Sequence, residues 1–152
     1  MSPRLTYQDA PKGLMDGLVK TELFLKKSTL DPKLLELIKY RVSQINGCAY
    51  CLDAHHKDAI AIGETELRLH ALIAWRECPF YSDEERAVLE FAEALTLTSK
   101  QEVSDELFKQ LADLFSPAQI IELLIAVTQI NSWNRINKTM KLVPGLYKVG
   151  QF

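Results

Sequence analysis

Apolar residues recur along this chain at spacings of three and four, and the residues between them carry helix start and stop signals. Asp31-Pro32 is a cap residue followed by proline at the first helical position, and Leu34, Leu35, Leu37, Ile38, Val42 and Ile45 then form a stripe. Asn46-Gly47 ends it, because both residues tolerate the left-handed geometry of a helix C-terminus. A second helix is expected from about Cys48 to Ile62, closed by Gly63, and a short one from Glu64 to about Trp75. Before these, residues 1–10 read as an irregular arm. Pro11 opens a helix to about Lys27 with Leu14, Leu18, Phe24 and Leu25 for burial. After Cys78-Pro79, which marks a loop, Ser82-Asp83-Glu84-Glu85 is a capping box that starts a helix to about Leu97. Ser104 opens another to about Phe115, and Ser116-Pro117 the longest, to about Leu142, before Pro144-Gly145. Nothing alternates as a strand pair would, so the expectation is an all-α chain of about seven helices.

In the last helix Ile120, Ile121, Leu123, Leu124, Ile125, Val127 and Ile130 cover more than one stripe. Such a helix is either central to the core or shared with another subunit. Asn131, Asn134, Arg135 and Asn137 follow, and buried polar capping is favoured for them over ligand contacts.

Length and composition narrow the function classes. A chain of 152 residues fits one domain, 1–152, that can bury a core without disulfide staples. A hydrophobic fraction of 47% and a charged fraction of 25% are ordinary for a globular protein. The net charge of −2 makes no electrostatic case for nucleic acid or an anionic membrane. The start lacks the apolar run of a signal peptide, and the patch from Ile120 to Val127 is interrupted by Glu122 and too short to span a bilayer. A cytoplasmic location is therefore expected. In a reducing compartment a close cysteine pair points to metal or redox chemistry more than to a structural bridge.

That pair is Cys48-Ala49-Tyr50-Cys51, followed by His55. On a helix Cys48, Cys51 and His55 share one face. Cys48, at the helix N-terminus, faces unsatisfied N–H groups and the positive end of the dipole, which favour thiolate. Cys51 lies one turn on, and His55, one turn beyond it, could take its proton. The preceding helix folds back antiparallel across a short turn, and at about 1.5 Å per residue Glu36 lies level with the His55–Lys57 region. Glu36 is then either the acid of a carboxylate–imidazole–thiol relay or a solvated helix charge. His56 points about 100° away from His55 and reads as surface or interface. Tyr50 points off the cysteine face and packs or lines a pocket. Asp53 and Lys57 form an i, i+4 pair, most simply a solvated contact. His70 has no role, and Cys78 is incidental.

At these residues the chain resembles the alkylhydroperoxidase D-like (AhpD-like) family within the carboxymuconolactone decarboxylase superfamily. The family motif is a Glu, eleven intervening residues, then Cys-x-x-Cys-x-x-x-His, and Glu36, Cys48, Cys51 and His55 fit it. The stretches 45–51, 57–59, 75–80 and 134–137, with Ser82, Glu85-Arg86-Ala87 and Glu93, also look familial, covering most of 32–140. Tyr50 departs from it, standing where some members carry histidine. The resemblance implies an AhpD-like helical bundle that assembles through its helices into trimers or hexamers, and thiol-dependent reduction of organic hydroperoxides with no cofactor or bound metal. It makes Cys51 the attacking thiol, Cys48 the resolving one, and His55 with Glu36 the proton relay. A dithiol reductant, a lipoylated or thioredoxin-like protein, would restore the pair. The dipole argument favours Cys48 as the more acidic thiol, whereas the imidazole and the family favour Cys51 as attacker. We follow the latter, because attack needs a proton acceptor as well as a low pKa.

Three other readings remain. Cys48, Cys51, His55 and Glu36 could form a zinc site. The pair could act as a redox sensor without turnover. The decarboxylase branch shares the fold, but the cysteine pair argues against it.

Overall fold

The computed structural model describes residues 2–151. Its centre is α2 (Pro32–Asn46), which packs against α3 (Ala49–Ala61), α5 (Asp83–Thr96) and α7 (Pro117–Met140). Helix α2 starts where its sequence says it should. Asp31 accepts a hydrogen bond from the Lys33 amide at 2.8 Å, and Pro32 occupies the first turn. Such a cap contributes about 1 kcal/mol. Leu34, Leu35, Ile38 and Val42 of α2 enter one apolar core with Val88 and Phe91 of α5, Leu111 of α6 (Asp105–Leu114), and Leu123 and Val127 of α7. Leu37 faces the opposite way, into a smaller core with Ala59, Leu69, Leu72, Trp75 and Leu89. A helix buried on two sides must sit in the middle, which is why α2 can position a site.

The remaining helices are α1 (Asp16–Leu25) and α4 (Glu66–Ala71), with short 3-10 segments at Tyr7–Asp9 and Leu72–Glu77. Among the described residues there is no strand, so the architecture is all-helical as expected. The capping boxes at Ser82 and Ser116 both form. No single helix among the described residues is long and apolar enough to cross a membrane.

Two boundaries differ from expectation. Helix α1 begins at Asp16 rather than Pro11, because Gly13 takes φ 84°, outside helical geometry. Of its expected core residues only Leu25 is buried and Leu18 half-buried, while Leu14 and Phe24 are 66% and 65% exposed. The helix expected over Glu64 to Trp75 starts at Glu66 behind a Thr65 cap and tightens to 3-10 after Ala71, with Ala74 outside helical geometry. Helix α7 is neither wholly core nor wholly surface. Ile120, Leu123, Val127 and Ile130 are buried, whereas Ile121 and Ile125 are exposed.

One buried carboxylate ties three elements together. Glu93 on α5 accepts from Trp75 Nε1 at 2.9 Å, Arg41 Nε at 2.8 Å and Arg76 Nη1 at 2.5 Å. Burial would raise its pKa, but these hydrogen bonds and the Arg41 charge hold it below the usual carboxylate range.

Candidate active site

The turn between α2 and α3 builds the site. Gly47 adopts the left-handed conformation, φ 63° and ψ 41°, which glycine enters without steric cost. The chain then reverses, and the Cys48 amide donates back to the Ser43 carbonyl at 3.0 Å. Cys48 becomes the N-cap of α3 and Cys51 lies in its first turn. Their Cα atoms are 5.3 Å apart, within the range a disulfide needs, and the two sulfurs are bonded. Both residues are buried, Cys48 at 1% and Cys51 at 2% exposure.

The antiparallel register brings Glu36 to His55. Glu36 Oε2 lies 2.9 Å from His55 Nδ1, and Glu36 Oε1 accepts from Lys39 Nζ at 3.2 Å. Lys39 also pairs with Glu22 Oε1 of α1 at 3.0 Å. Burial would raise the Glu36 pKa, but the charges of His55 and Lys39, with their hydrogen bonds, hold it at about 2. The carboxylate is therefore ionised at neutral pH and can only accept. Nδ1 of His55 must carry the proton it donates, which leaves Nε2 for proton exchange. Burial would lower the Lys39 pKa, yet the two flanking carboxylates raise it.

A cavity of about 250 Å³ reaches Cys51 and His55 but not Cys48. Met15 just before α1, Val19 and Leu23 from α1, Ala54 from α3 and Trp133 from α7 give it apolar walls. Tyr7, Tyr50, Tyr147, Asp58 and Asn137 add polar groups. Tyr50 thus does line a pocket.

The segment before α1 and the segment after α7 both reach this cavity, through Tyr7 and Tyr147. The arm before α1 runs along the end of α7, with the Arg4 amide donating to the Met140 carbonyl at 2.8 Å. It places Tyr7 against Trp133, ring centroids 6.1 Å apart and edge to face. At the other end Tyr147 donates its hydroxyl to Asp58 at 2.8 Å. Lys57 donates to the Tyr147 carbonyl at 3.0 Å, and Asp53 accepts from the Gly145 amide at 2.9 Å. The Asp53–Lys57 pair is thus more than the solvated contact expected of it, because it clamps the segment after α7. That role depends on residues some ninety positions away, and i, i+4 spacing carries no trace of it.

Asn137 is the residue the sequence undervalued. It is buried and does satisfy polar groups, but one of them is the Cys51 sulfur, which accepts from Asn137 Nδ2 at 3.4 Å. Asn131 and Asn134 fit the expected capping role more simply, both accepting from Asn46 Nδ2 at 2.9 Å. His56 points away and meets Glu66 at 2.8 Å near the surface. Cys78 is a free thiol that donates to the Ala74 carbonyl at 3.4 Å, away from the cavity lining.

For a metal, the ligand atoms of Glu36, His55 and Asp58 lie within 4.8 Å of one another. Glu36 already accepts from the Lys39 ammonium and Asp58 from the Tyr147 hydroxyl, so a cation would compete with both for these carboxylates. The zinc set expected as an alternative also needs two thiolates, and Cys48 and Cys51 are joined here.

Comparison with known proteins fits this geometry. The sequence profile described as the carboxymuconolactone decarboxylase family matches residues 7–94. The uncharacterized protein YdfG of Bacillus subtilis (strain 168) is 45% identical over 141 residues, 92% of this chain and 95% of that one. The uncharacterized protein YnjA of Escherichia coli (strain K12) is 36% identical over 118 residues, 77% of this chain and 64% of that one. A crystal structure from Agrobacterium tumefaciens, described as of unknown function and a candidate antioxidant defence protein AhpD, superposes with a TM-score of 0.90 at 32% identity. It covers 96% of this chain and 100% of that one.

Proposed function

This chain belongs to the carboxymuconolactone decarboxylase family, and from that premise we propose that it is an antioxidant enzyme that reduces organic hydroperoxides with the Cys48–Cys51 pair. The observation that carries the reading is the asymmetry of the pair. Cys51 alone lines the cavity, and it does so beside an imidazole hydrogen-bonded to an ionised carboxylate. The antioxidant description of the Agrobacterium structure supports the same class.

In the reduced protein, Nε2 of His55 takes the Cys51 proton and Glu36 stabilises the imidazolium. The thiolate attacks the terminal peroxide oxygen. An S–O bond forms as the O–O bond breaks, sulfur loses two electrons, and the alkoxide leaves with the proton from His55 as an alcohol. Cys48 thiolate then attacks the Cys51 sulfenic acid, the S–S bond forms, and hydroxide leaves with a proton as water. A dithiol reductant returns both thiols by exchange, its own sulfurs ending as a disulfide. The apolar walls favour an alkyl or aryl hydroperoxide over hydrogen peroxide. Near-complete burial of both sulfurs favours a reductant presented on a slender arm, such as a lipoyl group, over a protein thiol that must dock face to face.

The test is cumene hydroperoxide consumption by wild type, Cys48→Ser and Cys51→Ser, with dihydrolipoamide and thioredoxin as competing reductants. Turnover is expected in wild type only. Cys48→Ser should accumulate a sulfenic acid that dimedone traps at Cys51, while Cys51→Ser should be inert. Dimedone labelling at Cys48 in the Cys51→Ser protein, or unmodified thiols after peroxide treatment of wild type, would remove this function. Burial of the pair also suits a second reading, a slow redox sensor. Oxidation in a single turnover with no reductant-dependent cycling would favour that one.

A further inference from the structure

Asn137 comes from the far end of α7, 86 positions from Cys51 in sequence, yet its amide nitrogen lies 3.4 Å from that sulfur. Its other amide atom is also engaged, since Oδ1 accepts from the Tyr7 hydroxyl at 2.5 Å. The residue is 5% exposed, so water competes little for either end. An asparagine amide can point oxygen or nitrogen at a neighbour, and which one it points here matters. An N–H toward sulfur stabilises negative charge, whereas a carbonyl oxygen would repel it. Tyr7 settles the choice from the other side. A phenol donates strongly and accepts weakly, so its hydroxyl draws the carbonyl end toward itself. Burial, with Tyr50 nearby, raises the Tyr7 pKa, so the phenol keeps that proton at neutral pH. Donation into the carbonyl also polarises the amide and strengthens its N–H, as in any chain of hydrogen bonds.

We propose that Asn137 is a further catalytic residue that donates to the Cys51 sulfur in its thiolate form, and that Tyr7 on the N-terminal arm is the positioning residue that locks the amide in this orientation. This rests on the reading of Cys51 as the attacking thiol. It gives that thiol two supports of different kind. His55 with Glu36 removes the proton, and Asn137 with Tyr7 holds the charge that remains. It also resolves the competition between the two cysteines. The helix N-terminus favours charge at Cys48, but only Cys51 has a side-chain donor at its sulfur among the described residues.

The experiment is a thiol titration in a Cys48→Ser/Cys78→Ser background, where Cys51 alone ionises as a thiol, read by thiolate absorbance and by the pH profile of alkylation. A hydrogen bond to a charged group corresponds to a pKa rise of about one to two units when it is lost. Asn137→Leu should show that rise, and Tyr7→Phe a rise of about half a unit in the same direction. Both should keep the wild-type circular dichroism. An unchanged Cys51 pKa in a folded Asn137→Leu protein overturns the proposal. Should that variant fail to fold, an unchanged pKa in Tyr7→Phe overturns it instead. If Asn137→Leu shifts the pKa and Tyr7→Phe does not, the locking role of Tyr7 is withdrawn. The titration reads the thiol and not turnover. A shift in a protein that reduces no hydroperoxide would thus sink the peroxidase reading alone, and full turnover without a shift would sink this inference alone.

Discussion

Replacing Glu36 with glutamine keeps the side chain's shape and removes its charge. Burial by itself would push this carboxyl's pKa up, but His55 and Lys39 bring it from an ordinary 4.5 down to about 2. A carboxyl with a depressed folded pKa contributes stability that is fully present above its unfolded pKa. That contribution disappears as the pH falls through the folded value. The window here runs from about pH 4.5 down to about pH 2. At 1.36 kcal/mol per unit, the shift corresponds to about 3 kcal/mol at neutral pH. This matches the ~3–5 kcal/mol typical of breaking a buried ion pair by removing one partner. Lys39 would keep only Glu22 as an anionic partner, and His55 would face a neutral amide in place of a carboxylate. Urea unfolding followed by circular dichroism, at pH values from 7 to 2.5, checks the reasoning. Glu36→Gln should be less stable than wild type by about 3 kcal/mol at pH 7, and the gap should shrink progressively as the pH falls from about 4.5 toward about 2. A gap below about 0.5 kcal/mol at pH 7, or one that persists unchanged to pH 2.5, would refute the view that Glu36 is an ionised carboxylate held by His55 and Lys39.

Two further expectations follow from the chain's ends and its surface. Tyr147→Phe removes the hydroxyl that holds the segment after α7 to Asp58, so dithiothreitol should reduce the Cys48–Cys51 bond several-fold faster than in wild type. An unchanged reduction rate would mean that this segment does not restrict access. Val19, Leu23 and Phe24 on α1 and Ile121 and Ile125 on α7 are exposed apolar residues, and we propose that a homo-oligomer, a trimer or hexamer, covers them. Light scattering should give a mass well above the 17.3 kDa of one chain, and a monomer at working concentration would contradict it.

The parts of the fold governed by local chemistry were legible in the sequence. Asp31-Pro32, Ser82 and Ser116-Pro117 start helices because a side-chain oxygen satisfies free amides, and that interaction spans only two or three residues. Gly47 ends α2 by its own conformational freedom, and helix rise then sets Glu36 opposite His55. What could not be read depended on contacts between distant segments. Leu14 and Phe24 look like core residues by hydrophobicity alone, yet the short α1 leaves them outside. The break after Ala71 has no glycine or proline at it to announce it, and it precedes a segment whose Trp75 enters the smaller core with Tyr81. Asn137 carries no local signal for its contact with Cys51, because α7 must first cross the α2–α3 hairpin. An asparagine late in an apolar helix, with others spaced at three residues before it, could have been marked as facing the same interior. Its partner could not have been named.

All four groups of the proposed thiol chemistry, Glu36, Cys48, Cys51 and His55, ride on a single helical hairpin folded at Gly47. Much of the wall around them arrives from elsewhere: α1, the end of α7, and the segments that carry Tyr7 and Tyr147. Most of the proposed reactivity thus sits on one module and most of the selectivity on others, with Asn137 and Tyr7 as the link between them. A protein engineer could redraw the entrance by exchanging the outer segments, as one changes the mould around a fixed electrode, provided that Asn137 and Tyr7 are kept in place.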